Sequence, residues 1–169
     1  ILGPEMKSTG EVMGTGDEFA EAFMKASLGA GINLPTSGRA FLSVKESDRE
    51  ELVSIGTQLV DLGFELVATH GTASALQEAG IMTDAVNKVR QGRPHVVDLL
   101  KNEQIDLIVN TTEGHQSIED SAMIRRLALE KKVCYATTVA GGTAYCIAIG
   151  YSKANRQKTV RRLQDIDVS

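Results

Sequence analysis

Four short apolar runs constrain this chain more than any other feature, because each is followed by turn residues and then by a stretch with helical periodicity. The runs are Ala40-Phe41-Leu42-Ser43-Val44, Phe64 to Ala68, Ile105 to Val109 and Val133-Cys134-Tyr135-Ala136. Ser47-Asp48-Arg49-Glu50 reads as a capping box. It opens a helix that places Leu52, Val53, Ile55, Leu59, Val60 and Leu62 on one side and stops at Gly63. A shorter helix is expected from Thr72 to Glu78, closed by Gly80. Arg93-Pro94 opens another, since proline in a first turn gives up no intrahelical bond. Ser117 can cap a helix running to about Lys131 with Ile118, Ile124, Leu127 and Ala128 inward, and Gly141-Gly142 leads into a last apolar helix. Strands alternating with helices imply right-handed crossovers and a parallel sheet covered on both faces. The expected fold class is α/β, a single doubly wound parallel-sheet domain.

At 169 residues and 42% hydrophobic, the chain suffices for one sizeable core. Residues 1–28 differ from the rest. Gly3, Pro4, Gly10, Gly14 and Gly16 interrupt the start, and Asp17 then opens a short amphipathic helix carrying Phe19, Ala22, Phe23 and Ala26. That segment cannot enclose a core of its own. Residues 29–38, with Gly29, Gly31, Pro35, Ser37 and Gly38, read as a linker, so the domain is expected over 39–152, followed by a polar tail over 153–169. Ile1-Leu2-Gly3-Pro4 has neither an initiator Met nor a basic-then-apolar signal pattern, so the expectation is a piece of a longer chain.

A formal charge of −4 and interspersed Lys and Arg offer no basic stripe for a nucleic-acid backbone. No apolar run approaches the roughly 20 residues that cross a bilayer. Cys134 and Cys146 lack the spacing of a metal site or a disulfide framework, which fits a reduced, cytoplasmic protein.

In an open parallel sheet, ligands bind beyond the carboxyl ends of the strands. The second run is followed by Thr69-His70-Gly71-Thr72, the third by Asn110-Thr111-Thr112-Glu113-Gly114, and the fourth by Thr137-Thr138. Short hydroxyls, an amide and a glycine that lets backbone come close, set at helix starts, suit an anion. Lys88 and Arg49 add cations within reach. Taken singly, each has a plainer use: threonines cap helices, and a lone lysine is usually a solvated charge. Convergence on one face favours a pocket for a small phosphorylated ligand. His70, His95 and His115 do not form a metal triad, Asp48, Asp84 and Asp120 fit capping or solvated faces, and there is no Walker A loop, GxGxxG, GxSxG or nucleophile with its base.

The run Leu2-Gly3-Pro4-Glu5-Met6-Lys7-Ser8-Thr9-Gly10-Glu11-Val12-Met13-Gly14 resembles the end of the second ATP-grasp unit of carbamoyl-phosphate synthase large subunits. Gly38-Arg39-Ala40, Ala68 to Thr72, Val86-Asn87-Lys88-Val89, Gly92-Arg93-Pro94-His95, Asn110-Thr111-Thr112 and Ile124-Arg125-Arg126 are similar to the C-terminal, methylglyoxal synthase-like allosteric domain of that subunit. The resemblance implies a non-catalytic piece. Residues 1–28 would end the ATP-grasp unit, and the rest would be a regulatory domain binding UMP as inhibitor and IMP as activator. It further implies that Thr69, Thr72, Lys88, Asn110 and Thr112 hold phosphate and ribose, with Ser43 and Gly71 close by and Arg49 where relatives have Lys. Val89, Val96, Asp120 and Ile124 would line the base side.

The family acts with a glutaminase subunit in arginine and pyrimidine synthesis, and its need for ATP, Mg and K falls to the full-length parent; the fragment itself is expected to carry no cofactor and no metal. Where the family has Tyr-Asp-Thr for ornithine, this chain has Tyr135-Ala136-Thr137. Ornithine activation of the parent is therefore expected to be weak or absent, since the carboxylate that would pair with the ammonium is missing.

Methylglyoxal synthase itself is the competing enzyme reading. Its catalytic Asp lies in Gly-Gly-Asp, whereas Gln91-Gly92-Arg93-Pro94 puts Arg there, and Arg abstracts no proton near neutral pH. A third reading, an oligomerisation module, does not need the clustered donors, although self-association is compatible with sensing.

Overall fold

A computed structural model describes residues 12–88, 91–111, 115–154 and 162. Most of the Leu2–Gly14 match, Val89, Thr112 to Gly114 and most of the 153–169 tail lie outside these residues.

The strands are β1 (Gly38–Ser43), β2 (Phe64–Thr69), β3 (Asp84–Val86), β4 (Leu107–Asn110) and β5 (Cys134–Ala136). They form one five-stranded parallel sheet in the order β3-β2-β1-β4-β5. The helices are α1 (Phe19–Gly29), α2 (Arg49–Asp61), α3 (His70–Glu78), α4 (Val96–Lys101), α5 (His115–Glu130) and α6 (Val139–Ala154). The expected α/β doubly wound architecture is what the chain adopts.

Alternation along β1 shows why both sheet faces must be covered, since successive side chains in a strand point to opposite faces. Ala40 and Leu42 face α2, α3 and α6 and join a core with Leu52, Leu59 and Ile149. Phe41 faces the other way, into a core with Val67, Ile108, Val97 and Leu100 beneath α4 and α5. Phe23 of α1 meets Tyr145 of α6 edge-on, with ring centroids 5.4 Å apart, so the N-terminal helix also lies against the sheet's helical cover.

Several local expectations are corrected. The Ser47–Glu50 capping box does not form: Glu46–Asp48 is a 3-10 turn, α2 begins at Arg49, and the side chain of its N-cap, Asp48, makes no cap bond. Of the proposed α2 stripe, Leu52, Ile55 and Leu59 are buried with Gly56, whereas Val60 is exposed and Val53 and Leu62 are half-buried. Helix α3 begins at His70, two residues before Thr72. Pro94 precedes α4 rather than standing in its first turn; the Asp98 carboxylate accepts the His95 backbone N–H instead. The third expected strand begins at Leu107, not Ile105, α5 begins at His115 so that Ser117 is inside it, and Gly141-Gly142 lie within α6. Strand β3 was not anticipated at all, because Asp84-Ala85-Val86 shows no apolar run.

Candidate functional site

Strand order reverses between β1 and β4, where the chain has gone to one side for β2 and β3 and returns on the other. A crevice forms at such a switch point, outside the carboxyl ends of the strands. Parallel pairing sets Ser43 beside Asn110, and Leu42 beside Ala68, so the final residues of β1, β2 and β4 arrive together at this edge.

The hydroxyls there form a linked set. Thr69 Oγ1 lies 3.2 Å from Thr72 Oγ1 and 3.4 Å from Ser43 Oγ. Thr72 Oγ1 also accepts the Val44 backbone N–H at 3.2 Å, which leaves its own proton for a further acceptor. Thr111 Oγ1 accepts the Lys45 N–H at 3.0 Å. Two threonines therefore peg the loop after β1 to β4 and α3. Burial pushes the Asp48 carboxyl up, but hydrogen bonds from Thr111 and Ser47 and the Lys45 charge outweigh it and hold Asp48 below its usual value.

Arg49 approaches from the start of α2. A Cβ on Gly71 would stand 2.9 Å from its Nη2, so the glycine lets the guanidinium lie across the start of α3. Nη1 is 3.5 Å from the exposed carboxylate of Glu46, while the buried Nε has no hydrogen-bond partner. An unsatisfied buried N–H is costly, and an incoming oxyanion is the kind of acceptor that would satisfy it. Lys88 follows β3. Just before it, Asn87 Oδ1 lies 3.1 Å from His70 Nε2, which ties the end of β3 to the start of α3.

These groups surround a cavity of about 340 Å³. Of the residues singled out in the sequence, Ser43, Arg49, Thr69, Gly71, Thr72 and Lys88 lie on its walls. Asn110, Val96, Asp120 and Ile124 complete its far side. Tyr135 and Thr137 are not on the walls; Thr137 is exposed just after β5. Val89 and Thr112 lie outside the described residues. The walls also include Phe41, Val44, Lys45, Glu46 and Ser121, which sequence reasoning missed, and Thr111, which it placed in the donor-rich loop after the third run without giving it a role of its own. Lys45 was findable, since it directly follows the first apolar run, where the loop at the ligand edge begins. Ser121 was not, because a serine inside a helix gives no sign of where it points.

Arg93, which the sequence sets against the proton-abstracting Asp of methylglyoxal synthases, is outside the cavity and pairs loosely with Asp98 at 3.6 Å. Among the described residues, no group of three or more His, Cys, Asp or Glu is placed to hold a metal, and no helix is long and apolar enough to cross a membrane.

Residues 51–137 match the MGS-like domain family. The chain belongs to that family. It is also 60% identical over 98% of its length to the carbamoyl phosphate synthase large chain of Pseudomonas aeruginosa, and 59% identical over 98% to that of Halomonas eurihalina. The large chain of Vibrio cholerae is 50% identical over the same share. In each case the chain spans about 15% of the relative's length. A crystal structure of methylglyoxal synthase from Elizabethkingia anophelis superposes with a TM-score of 0.54 over 67% of this chain and 79% of that one. At 18% identity this similarity concerns the fold alone.

Proposed function

We propose that this chain is the regulatory domain at the C-terminal end of a carbamoyl-phosphate synthase large subunit, and that the switch-point cavity binds nucleoside monophosphates, UMP as inhibitor and IMP as activator. The observation that carries the reading is the meeting of Ser43, Thr69 and Thr72 hydroxyls, the Lys88 ammonium and the unsatisfied Nε of Arg49 around one cavity. Hydroxyl protons and two cations suit the phosphate, and the apolar Val96 and Ile124 suit the flat face of a base.

On this reading the fragment is not itself catalytic. Residues 1–28 end the preceding ATP-grasp unit and 29–38 link it to the sensor; ATP, Mg and K, the glutaminase partner and the arginine and pyrimidine pathways belong to the cytoplasmic parent. An effector shifts activity only through its differential affinity for two states of the whole subunit, typically about 1–3 kcal/mol.

The test is calorimetric titration of this chain with UMP, IMP and inorganic phosphate, alongside an assay for methylglyoxal formation from dihydroxyacetone phosphate. Saturable UMP and IMP binding that Lys88→Ala weakens by at least about tenfold, the worth of one charge-assisted contact, is expected, with no turnover. Phosphate binding with turnover and no nucleotide binding would favour a phosphate lyase of the methylglyoxal synthase type.

The ornithine expectation is carried forward with it. Ala136 is buried at the end of β5 and brings no carboxylate. A parent enzyme carrying this domain is expected to show little change in ATP affinity with ornithine, and a clear ornithine-dependent rise would refute that.

A further inference from the structure

Thr111, the residue after β4, stands on the cavity wall and is 8% exposed, yet its hydroxyl has nothing left to give a ligand. The oxygen accepts the Lys45 backbone N–H at 3.0 Å, and the hydroxyl's own proton goes to the Asp48 carboxylate. Asp48 is the N-cap of α2, at the end of the 3-10 turn Glu46–Asp48, so Arg49 is the next residue. Ser47 Oγ donates to the same carboxylate at 3.0 Å, and Lys45 Nζ lies 3.6 Å from it. One hydroxyl therefore ties both ends of the turn to the exit of β4. The turn also holds two acids and two cations, and these bonds sort them. The Asp48 side chain, 20% exposed, takes Lys45, whereas that of Glu46 is 87% exposed and meets Arg49 at 3.5 Å, a contact worth little in water. Lys45 is occupied, and Arg49 is left with its buried Nε unsatisfied.

We infer that Thr111 is a positioning residue: through Lys45 and Asp48 it fixes the turn between β1 and α2 so that Arg49 presents its guanidinium to the phosphate of the ligand. This role rests on the reading of the cavity as a phosphate pocket, and it separates Thr111 from Thr72, whose proton remains for a further acceptor. No residue of Glu46–Asp48 is buried, so apolar packing does not seat the turn and hydrogen bonds must. Without the Thr111 hydroxyl the buried end of the turn loses its acceptor, and the Asp48 carboxylate is free to turn toward a guanidinium one residue away. It would then compete with the ligand for Arg49.

The test is titration of the chain and its variants with inorganic phosphate and with UMP. Thr111→Val, which keeps the shape and removes both bonds, is expected to weaken both ligands about threefold to tenfold, the range of one hydrogen bond. Thr111→Ser, which keeps the hydroxyl, is expected to stay within about twofold of wild type. The same Thr111→Val change is then made in an Arg49→Ala background. There its effect is expected to shrink below about twofold, because a residue that acts through Arg49 has nothing left to aim. Asp48→Ala is expected to weaken phosphate too, although it removes a negative charge from beside an anion site. An undiminished loss in the Arg49→Ala background would mean that Thr111 meets the ligand itself or supports the fold at large, and overturns the inference. Unchanged affinity in Thr111→Val, or tighter phosphate binding in Asp48→Ala, overturns it as well. If the wild-type chain binds neither phosphate nor UMP, the phosphate reading of the cavity fails first and the role of Thr111 falls with it.

Discussion

Arg49 shows how far a single residue's role depends on what stands next to it. In the sequence it is one cation among 18 Lys and Arg, distinguished only by following the first strand. In the fold its guanidinium crosses Gly71, its Nε is buried without an acceptor, and its contact with Glu46, at 3.5 Å and with the carboxylate exposed, is of the kind worth little in water. A planar fork can offer Nε and Nη2 to one oxyanion, whereas an ammonium offers a point charge from a different position. Arg49→Lys is accordingly expected to weaken inorganic phosphate binding by roughly tenfold, one charge-assisted hydrogen bond, despite keeping the charge. Equal affinity in a phosphate titration of the two proteins would mean that charge alone matters there. The neighbouring hydroxyls were legible because they directly follow strands, and position after a strand is what puts a residue at the ligand edge. The role of Thr111 was not, since it lies in bonds to Lys45 and Asp48 in the turn between two other elements.

Helix α6 carries the corresponding lesson for whole elements. Two consecutive glycines read as a turn leading into a helix, yet Gly141 and Gly142 are inside it, because tertiary packing overrides their poor helical propensity. The reason is proximity to β4. A Cβ on Gly142 would meet Val109 Cγ2 at 2.9 Å and Ile55 Cδ1 at 3.1 Å, and both of those side chains are buried in the core. Gly150, later in the same helix, faces only Leu62 Cδ2 at 3.7 Å, an ordinary contact. The same substitution should therefore have opposite signs at the two sites. Gly142→Ala is expected to destabilise by about 1–3 kcal/mol through overpacking, and Gly150→Ala to stabilise by up to about 1 kcal/mol through helix propensity. Urea unfolding of the two variants decides it; stabilisation by both would show that α6 has room to move off the sheet. Strand β3 was invisible for a related reason. An edge strand of three residues, two of them exposed, needs no apolar pattern, only a neighbour to pair with, and β2 supplies it.

At the scale of the whole molecule, the fold class was readable because a doubly wound sheet leaves a repeated signature, apolar strand then amphipathic helix, that no single misplaced boundary erases. The same burial that makes this signature also governs chemistry far from the ligand edge. Cys134 in β5 and Cys146 in α6 are free thiols packed in the core against the sheet face covered by α2 and α6. Burial pushes Cys134 from 9.0 up to about 12, with the nearby Asp106 charge adding to it, and pushes Cys146 up to about 11. A thiol whose pKa is raised on folding keeps its proton in the native state after the unfolded chain has lost it. The native state then binds more protons than the unfolded one, so stability is complete below the unfolded value and is lost as pH rises toward the folded one. Between about pH 9 and pH 11 the unfolding free energy should fall by up to about 1.4 kcal/mol per pH unit for each thiol. Urea denaturation across that range measures the slope. Cys134→Ala, which lowers the starting stability by opening a small cavity, should nevertheless flatten the slope, because one of the protons is gone. A wild-type slope near zero, or a slope that Cys134→Ala leaves unchanged, would mean that the core admits enough water to ionise the thiol in place.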